Sequence, residues 1–287
     1  MAVLNSTGTI FYSEISGVNH LLDKYKTNVS FDEQVLVNVT LSQSKADLTK
    51  EGPAKNSNMA GITVETSASL GIVASKRLKD SSNVNTSVDC SSYSCVTLWI
   101  KSSVETDDET LEFILSSTAN AATETEALPI PGLRAGEWAR VILRMNNPNL
   151  DTSIISMGIK QLKSLAEDYT LTIHEPRLME ELLGQKSFNI TETIDSIDLS
   201  DYQSREFREF EPTFTSWTIA FEGHKEGPPP LKNKSFYVIG ISENEALGMA
   251  FVGDGFYTTF NPSGNFAEAV QYPLTIQGSR YLHKPLA

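Results

Sequence analysis

In the run from Ser94 to Lys101, Cys95, Thr97 and Trp99 alternate with Val96, Leu98 and Ile100. A period of two belongs to a β-strand, whose successive side chains point to opposite faces. Both sets are largely apolar, so this strand is expected to be buried on both sides. In residues 216–222, Trp217, Ile219 and Phe221 alternate with Thr218, Ala220 and Glu222, giving one strongly apolar face. Tyr272, Leu274 and Ile276 alternate in the same way with Pro273, Thr275 and Gln277. The same reading predicts strands over residues 8–15, 35–41, 61–66, 110–116, 138–145, 154–159, 169–174, 187–197, 235–241 and 249–260, with a last one within 269–282. Helical periodicity is confined to residues 18–26 and 177–183; in the second, Leu178, Leu182 and Leu183 share a face. Many short strands between turn signals predict an all-β sandwich or jelly roll.

Turn chemistry divides the pattern. Glu51-Gly52-Pro53, residues 128–132 (Leu-Pro-Ile-Pro-Gly) and Gly227-Pro228-Pro229-Pro230 read as loops, because proline cannot continue a ladder. Asn261-Pro262-Ser263-Gly264 reads as a turn, and Asp254-Gly255 as a turn or as a bulge inside a long strand. Residues 180–185 read as a linker between two modules.

The chain has 287 residues, 40% of them hydrophobic and 21% charged, which is enough apolar material for two cores. Its net charge of −13 comes without any Lys/Arg cluster, so the basic patch that grips phosphates is missing. An acidic surface repels DNA and lets it slide past. No apolar run reaches the length of a membrane helix, and residues 1–10 lack the basic-then-apolar pattern of a secretory signal. Cys90 and Cys95 stand in a C-x4-C spacing with no second cysteine pair and no histidine nearby, which argues against zinc. They fit either a disulfide across a tight turn or two reduced thiols, and a cytosolic chain favours the thiols.

Catalytic patterns are missing. His20, His174, His224 and His283 are scattered and form no metal-ligand spacing. There is no G-x-S-x-G elbow and no G-x-x-x-x-G-K-[ST] phosphate loop. Gly253-Asp254-Gly255 lacks the third glycine and following helix of a dinucleotide site, and Asp107-Asp108 sits in a polar, solvated loop. The chain is therefore expected to be non-enzymatic, with no catalytic, cofactor-binding or metal-ligating residues.

Residues 29–177 carry an ordered set of pieces: the strand Val96 to Lys101, the strand Thr110 to Leu115, the proline loop 128–133, the run Ala135-Gly136-Glu137-Trp138, and the stretch 154–159 ahead of the strand at 169–173. This order resembles a jelly-roll module of the carbohydrate-binding type, as found within phage virion proteins. Trp138, after a glycine turn, is expected to close the end of the sandwich, and Trp99 to lie in the core. The module's few aromatics (Trp99, Trp138, Phe31, Phe113, Tyr93 and Tyr169) are mostly needed for that core, so a spacer or ornament is expected rather than a glycan-binding face. Such modules carry acidic residues after the last strand; His174-Glu175-Pro176-Arg177 departs from that and speaks against a structural calcium.

The C-terminal third holds sharper features. A strand from Ser187 runs into the acidic loop Asp195-Ser196-Ile197-Asp198-Leu199, then comes Arg205-Glu206-Phe207-Arg208-Glu209-Phe210-Glu211-Pro212 and a strand through Trp217 ending in Gly223. The glycine-bearing strand Gly248 to Phe260 and a last strand closing on Gln277-Gly278 follow. Together these resemble the phage major tail (tail tube) protein family, and Thr7-Gly8-Thr9-Ile10-Phe11-Tyr12 resembles that family's first strand. The resemblance implies a tail-tube-like β-sandwich/barrel domain in two pieces, residues 1–26 and 183–287, with a β jelly roll, residues 27–182, inserted at a surface loop. Deleting the insert is expected to leave a folded β module. Thr213 stands where the family has glycine, and residues 225–234 offer a proline loop where the family has a helix, so the insert or a neighbouring subunit must cover that sheet face.

The resemblance also implies a function: a structural virion protein, assembled in the host cytoplasm, stacking in rings (hexameric, in the family's manner) around a channel that passes DNA without specific binding. Its partners are then other copies of itself and other virion proteins, with no membrane. A capsid decoration (cement) protein and a carbohydrate-binding adhesin are the alternatives. The subunit interface is expected at Arg205, Phe207, Arg208, Phe210 and Phe214, since a solvated loop has little reason to hold three phenylalanines and interfaces favour aromatics and arginine.

Overall fold

The computed structural model describes residues 9–14, 22, 31, 34–35, 37–45, 58–80, 82, 84–181, 185–198, 210–223, 236–242, 250–260, 273–279 and 282. These residues form an all-β protein. The strands are Thr9–Glu14 (β1), Gln34–Val35 (β2), Val39–Lys45 (β3), Asn58–Val64 (β4), Gly71–Arg77 (β5), Cys95–Ser102 (β6), Leu111–Ser116 (β7) and Glu124–Ile130 (β8). Then come Trp138–Arg144 (β9), Ser156–Gln161 (β10), Tyr169–Glu181 (β11), Gln185–Asp198 (β12), Phe210–Gly223 (β13), Phe236–Ser242 (β14), Ala250–Phe260 (β15) and Leu274–Gly278 (β16). Two 3-10 turns, Ala119–Ala121 and Pro148–Leu150, are the helical elements among the described residues.

Three antiparallel sheets result, and none closes into a barrel among the described residues. Sheet I runs β3-β4-β11-β6-β9, sheet II runs β2-β5-β10-β7-β8, and sheet III runs β12-β13-β16-β15-β14-β1. Sheets I and II face each other. Val96, Leu98 and Ile100 of β6 meet Phe113 and Leu115 of β7 and Ile159 of β10 in one buried core. Sheet III joins sheet I at its margin, where Phe11 lies opposite Glu181 and Tyr12 opposite Glu180. Leu22 also belongs to the core between sheets I and II, and its N–H donates to Pro176 O at 3.3 Å.

Several expectations are corrected. Residues 177–181 are not helical; they finish β11, with Leu178 in the core and Met179 on the opposite face beside Cys95 and Ile142. Alternation across the strand outweighs the weak helical spacing. Leu182 and Leu183, and the stretch 18–26 apart from Leu22, lie outside the described residues. Within the expected linker, Glu180 and Glu181 close β11 and Gln185 opens β12. Of the proline loop expected at 128–132, Leu128 to Ile130 instead finish β8, because β8 is the edge of sheet II, where Pro129 needs no partner for its missing N–H; Pro131 and Gly132 lie beyond the strand. The pattern also passes over β5, whose register slips beside Val73: Ile159 pairs with Ala74 while Lys160 pairs with Ile72. The extra residue breaks the alternation that identifies a strand.

Trp138 does not close the sandwich end. It lies on the outer face of sheet I, edge-on to Trp99 with ring centroids 6.3 Å apart. Trp99 is buried as expected, but on that same outer face rather than between the sheets. The strand bearing it is buried on both sides, as its sequence predicts.

Candidate functional site

Only the last part of the expected interface segment lies among the described residues, at the start of β13. Arg205, Phe207 and Arg208 lie outside the described residues; Phe210 opens β13, opposite Asp198, and Phe214 follows within the same strand. The two strands pair from Gln185 and Gly223 to Asp198 and Phe210. The next strand, β16, pairs with β13 only from Thr218 to Phe221. Residues 192–198 and 210–217 therefore run on as a two-stranded arm, roughly 20 Å long at the rise of an antiparallel strand. Among the described residues the outer edge of β12 pairs with no strand. Residues 192–196 are all exposed, and Ile194 is 65% exposed in spite of its apolar side chain. The register shifts between Ile194 and Ser196, opposite Pro212, and such bulges twist a ribbon. A two-stranded ribbon with a bare edge is marginal on its own and templates further pairing.

The root of the arm is anchored. Trp217, 2% exposed, lies in a second core with Phe188, Ile190, Ile219, Phe221, Leu274 and Ile276. Three glycines make the floor beneath its indole. A methyl group on Gly253 would lie 2.5 Å from Trp217 Cζ2, one on Gly278 would fall into the indole itself, and one on Gly255 would lie 2.7 Å from Ile276 Cγ2 and 3.4 Å from Trp217. Gly255 and Gly278 are directly opposite each other on β15 and β16. The tryptophan and the glycines that the sequence places about 40 to 60 residues apart are thus one packing unit. Gln277 Nε2 also donates to Trp217 O at 3.1 Å.

The opposite face of β15 meets sheet I. Val252 packs with Cys95, Ile142 and Met179 in a small buried cluster. Beside it, Arg140 Nη1 donates to Asp254 Oδ1 at 3.0 Å, and the Arg140 side chain is only 2% exposed. The guanidinium lies 5.1 Å from the Trp99 ring centroid and 3.9 Å from Glu175 Oε2. Arg177 holds Glu175 as well, through Nε and Nη2, each 2.8 Å from Oε1. Glu175 takes a left-handed backbone, φ 52°, at the point where the β11–β6 register shifts. This bulge aims its carboxylate at both arginines, at a cost of about 1–2 kcal/mol in backbone strain. Burial pushes the Glu175 carboxyl up, but Arg177, Arg140 and His174 outweigh it and hold its pKa below the ordinary value. Sequence reasoning noticed 174–177 only as a departure from acidic residues; the charge pairing was invisible because Arg140 and Asp254 are 114 residues apart.

Cys90 and Cys95 are both free and buried, so they are thiols rather than a disulfide. Burial, then Asp151 and Asp89, push the Cys90 thiol up to about 12, and burial pushes Cys95 up as well. Such thiols are poor nucleophiles and poor metal ligands at neutral pH. Among the described residues no helix is long and apolar enough to cross a membrane. The chain matches no protein-family model and no curated protein.

Proposed function

We propose that this chain is a structural virion protein of a tailed bacteriophage, which assembles into stacked rings of a tail tube and carries an outward jelly-roll module. In this reading sheet III is the tube-like wall, and sheets I and II are the jelly roll inserted between β1 and β12. The observation that carries it is the β12–β13 arm: a long acidic edge and an exposed Ile194 on a ribbon too thin to be stable alone. Identical copies arranged in a ring give each such edge a partner without leaving a free end. In this reading the segment from Arg205 to Phe214, of which Phe210 and Phe214 belong to β13, is the part that meets a neighbouring subunit. The Trp217 unit adds support, because it brings together the tryptophan, the glycine-bearing strand and the final Gln277-Gly278 on which the tail-tube resemblance rests. Rings of a net acidic chain pass DNA by repelling it.

A glycan-binding adhesin is disfavoured by where the aromatics go. Trp99 and Trp138 stack on each other beside Arg140 at the junction with β15. The outer face of sheet II presents Glu112, Gly158 and Lys160 and, among the described residues, no aromatic platform. Negative-stain electron microscopy of the purified protein tests the proposal: rings or tubes are expected, whereas a lattice-clamping trimer or a glycan-binding monomer would refute it. Changing both Arg205 and Arg208 to Glu is expected to abolish these assemblies while the circular dichroism spectrum stays β-rich. Assembly by the double variant at wild-type concentration would exclude this segment as the interface.

A further inference from the structure

At one end of the sandwich two carboxylates are buried together. Glu126 on β8 is 2% exposed, and Asp151, in the loop from β9 to β10, is 1% exposed. Glu126 lies opposite Leu115 and so points between the sheets. Its carboxylate grips the loop. Oε2 accepts from Asn146 N and from Asn146 Nδ2, both at 2.9 Å, and Oε1 accepts from Asn147 N at 2.6 Å. Asp151 is fixed through its backbone: its N–H donates to Pro148 O at 2.9 Å, and its carbonyl accepts from Cys90 N at 2.8 Å. Its side chain is placed differently, since among the described residues no donor reaches Oδ2. The carboxyl instead lies in hydrogen-bonding contact with Glu126.

Two ionised carboxylates in contact can only accept, so they repel and leave a buried oxygen unsatisfied. One proton removes both problems, because a protonated Asp151 donates to Glu126. The other titratable groups around the pair do not take over this role. Asp89 is exposed and its Oδ1 accepts from Ser91 N at 2.9 Å. Cys90 and Tyr93, from the same loop, are both pushed up by burial and stay neutral. Arg144, at the end of β9, acts on Cys95, and Glu124 of β8 is engaged by Lys160. Among the described residues no cation figures in the groups that act on Asp151.

We propose that a proton held on Asp151 bridges it to the Glu126 carboxylate and makes an acid-closed latch on the loop 146–151, which loosens when that proton is lost. The loop spans from sheet I to sheet II, so the latch fastens the two sheets at this end of the sandwich. Burial first, and then the charge and hydrogen bond of Glu126, push Asp151 up to about 6 from its ordinary 3.8. A raised carboxyl pKa stabilises the fold fully below the unfolded value, near 4, and that stabilisation is lost as pH rises through about 6. The gap of about two pKa units bounds the effect at roughly a 100-fold rise in loop opening by pH 8.

Hydrogen exchange on the full-length protein at pH 5, 6.5 and 8, corrected for intrinsic exchange, tests this. Protection of the 146–151 amides is expected to fall by about 10-fold between pH 5 and 8, because the other half of the effect is already lost below pH 5, while β6 and β11 keep theirs. Asp151→Asn places a permanent N–H donor against Glu126 and is expected to keep the loop protected at pH 8. Protection that does not change with pH in the wild type, or a pH-dependent loss that persists in Asp151→Asn, overturns the latch. Should Asp151→Asn fail to fold, the carboxyl carbon shift of Asp151 in the wild-type protein decides. Titration near 6 supports the bridging proton, and titration near 4 overturns it.

Discussion

The glycine floor under Trp217 makes a quantitative prediction through Gly278→Ala. The added methyl group coincides with the indole, and it cannot be accommodated by a small shift, because Trp217 is 2% exposed and is wedged between Gly253 and Gly278. Forcing one methyl group into a filled core costs about 1–3 kcal/mol. The high end is expected here, since the obstacle is a rigid ring rather than the end of a flexible chain. Trp217→Leu should cost about 2–4 kcal/mol by leaving a cavity. The two changes share one space, so the double variant Trp217→Leu/Gly278→Ala should cost at least 1 kcal/mol less than the sum of the singles. Urea unfolding followed by circular dichroism, at constant slope, measures all three; about 1 kcal/mol corresponds to about 2–4 °C in Tm for a large domain. An effect of Gly278→Ala below about 0.5 kcal/mol, or strict additivity in the double variant, would refute the packing argument.

Two further outcomes are expected. Asp254→Ala should cost about 3 kcal/mol, because it leaves Arg140 buried with one counter-charge fewer, whereas Arg140→Met combined with Asp254→Leu should cost less than either single change; equal or near-zero losses in chemical denaturation would contradict a buried ion pair. Replacing both Cys90 and Cys95 by Ser should cost about 1–3 kcal/mol per buried hydroxyl and leave assembly intact, and loss of rings in electron micrographs or of a stoichiometric metal would contradict their inert role.

Legibility followed the range of the interaction. β6 could be read from its own eight residues, since its two apolar sets are a local property and both proved buried. The face of Trp217, Ile219 and Phe221 was legible for the same reason. β5 was lost because one bulged residue disrupts a period-two pattern, and Lys76 and Ser75 inside a buried strand look like loop residues. β8 was lost because proline tolerance depends on being at a sheet edge, which is a fact of topology. The Arg140 junction and the Glu126–Asp151 pair join residues 114 and 25 positions apart, and each member alone looks like surface charge. A buried charge announces itself only when the partner that permits burial is known.

The junction also bears on how the two halves of the molecule depend on each other. The sequence of residues 225–234 offers no helical pattern to cover the face of β15 that carries Val252 and Asp254. In the fold that face meets the outer side of sheet I: Val252 is enclosed by Cys95, Ile142 and Met179, and Asp254 by Arg140. Sheet I in turn hides Trp99 and Arg140 there, which its own core does not cover. β11 adds backbone pairing to β1 at the margin. Removing residues 27–182 would strip all three: the ladder beside Phe11 and Tyr12, the apolar cover of Val252 and the guanidinium beside Asp254. A short linker restores chain continuity but none of these contacts. A folded remainder therefore requires another cover for β15, and in the proposed ring that cover would have to come from the neighbouring subunit.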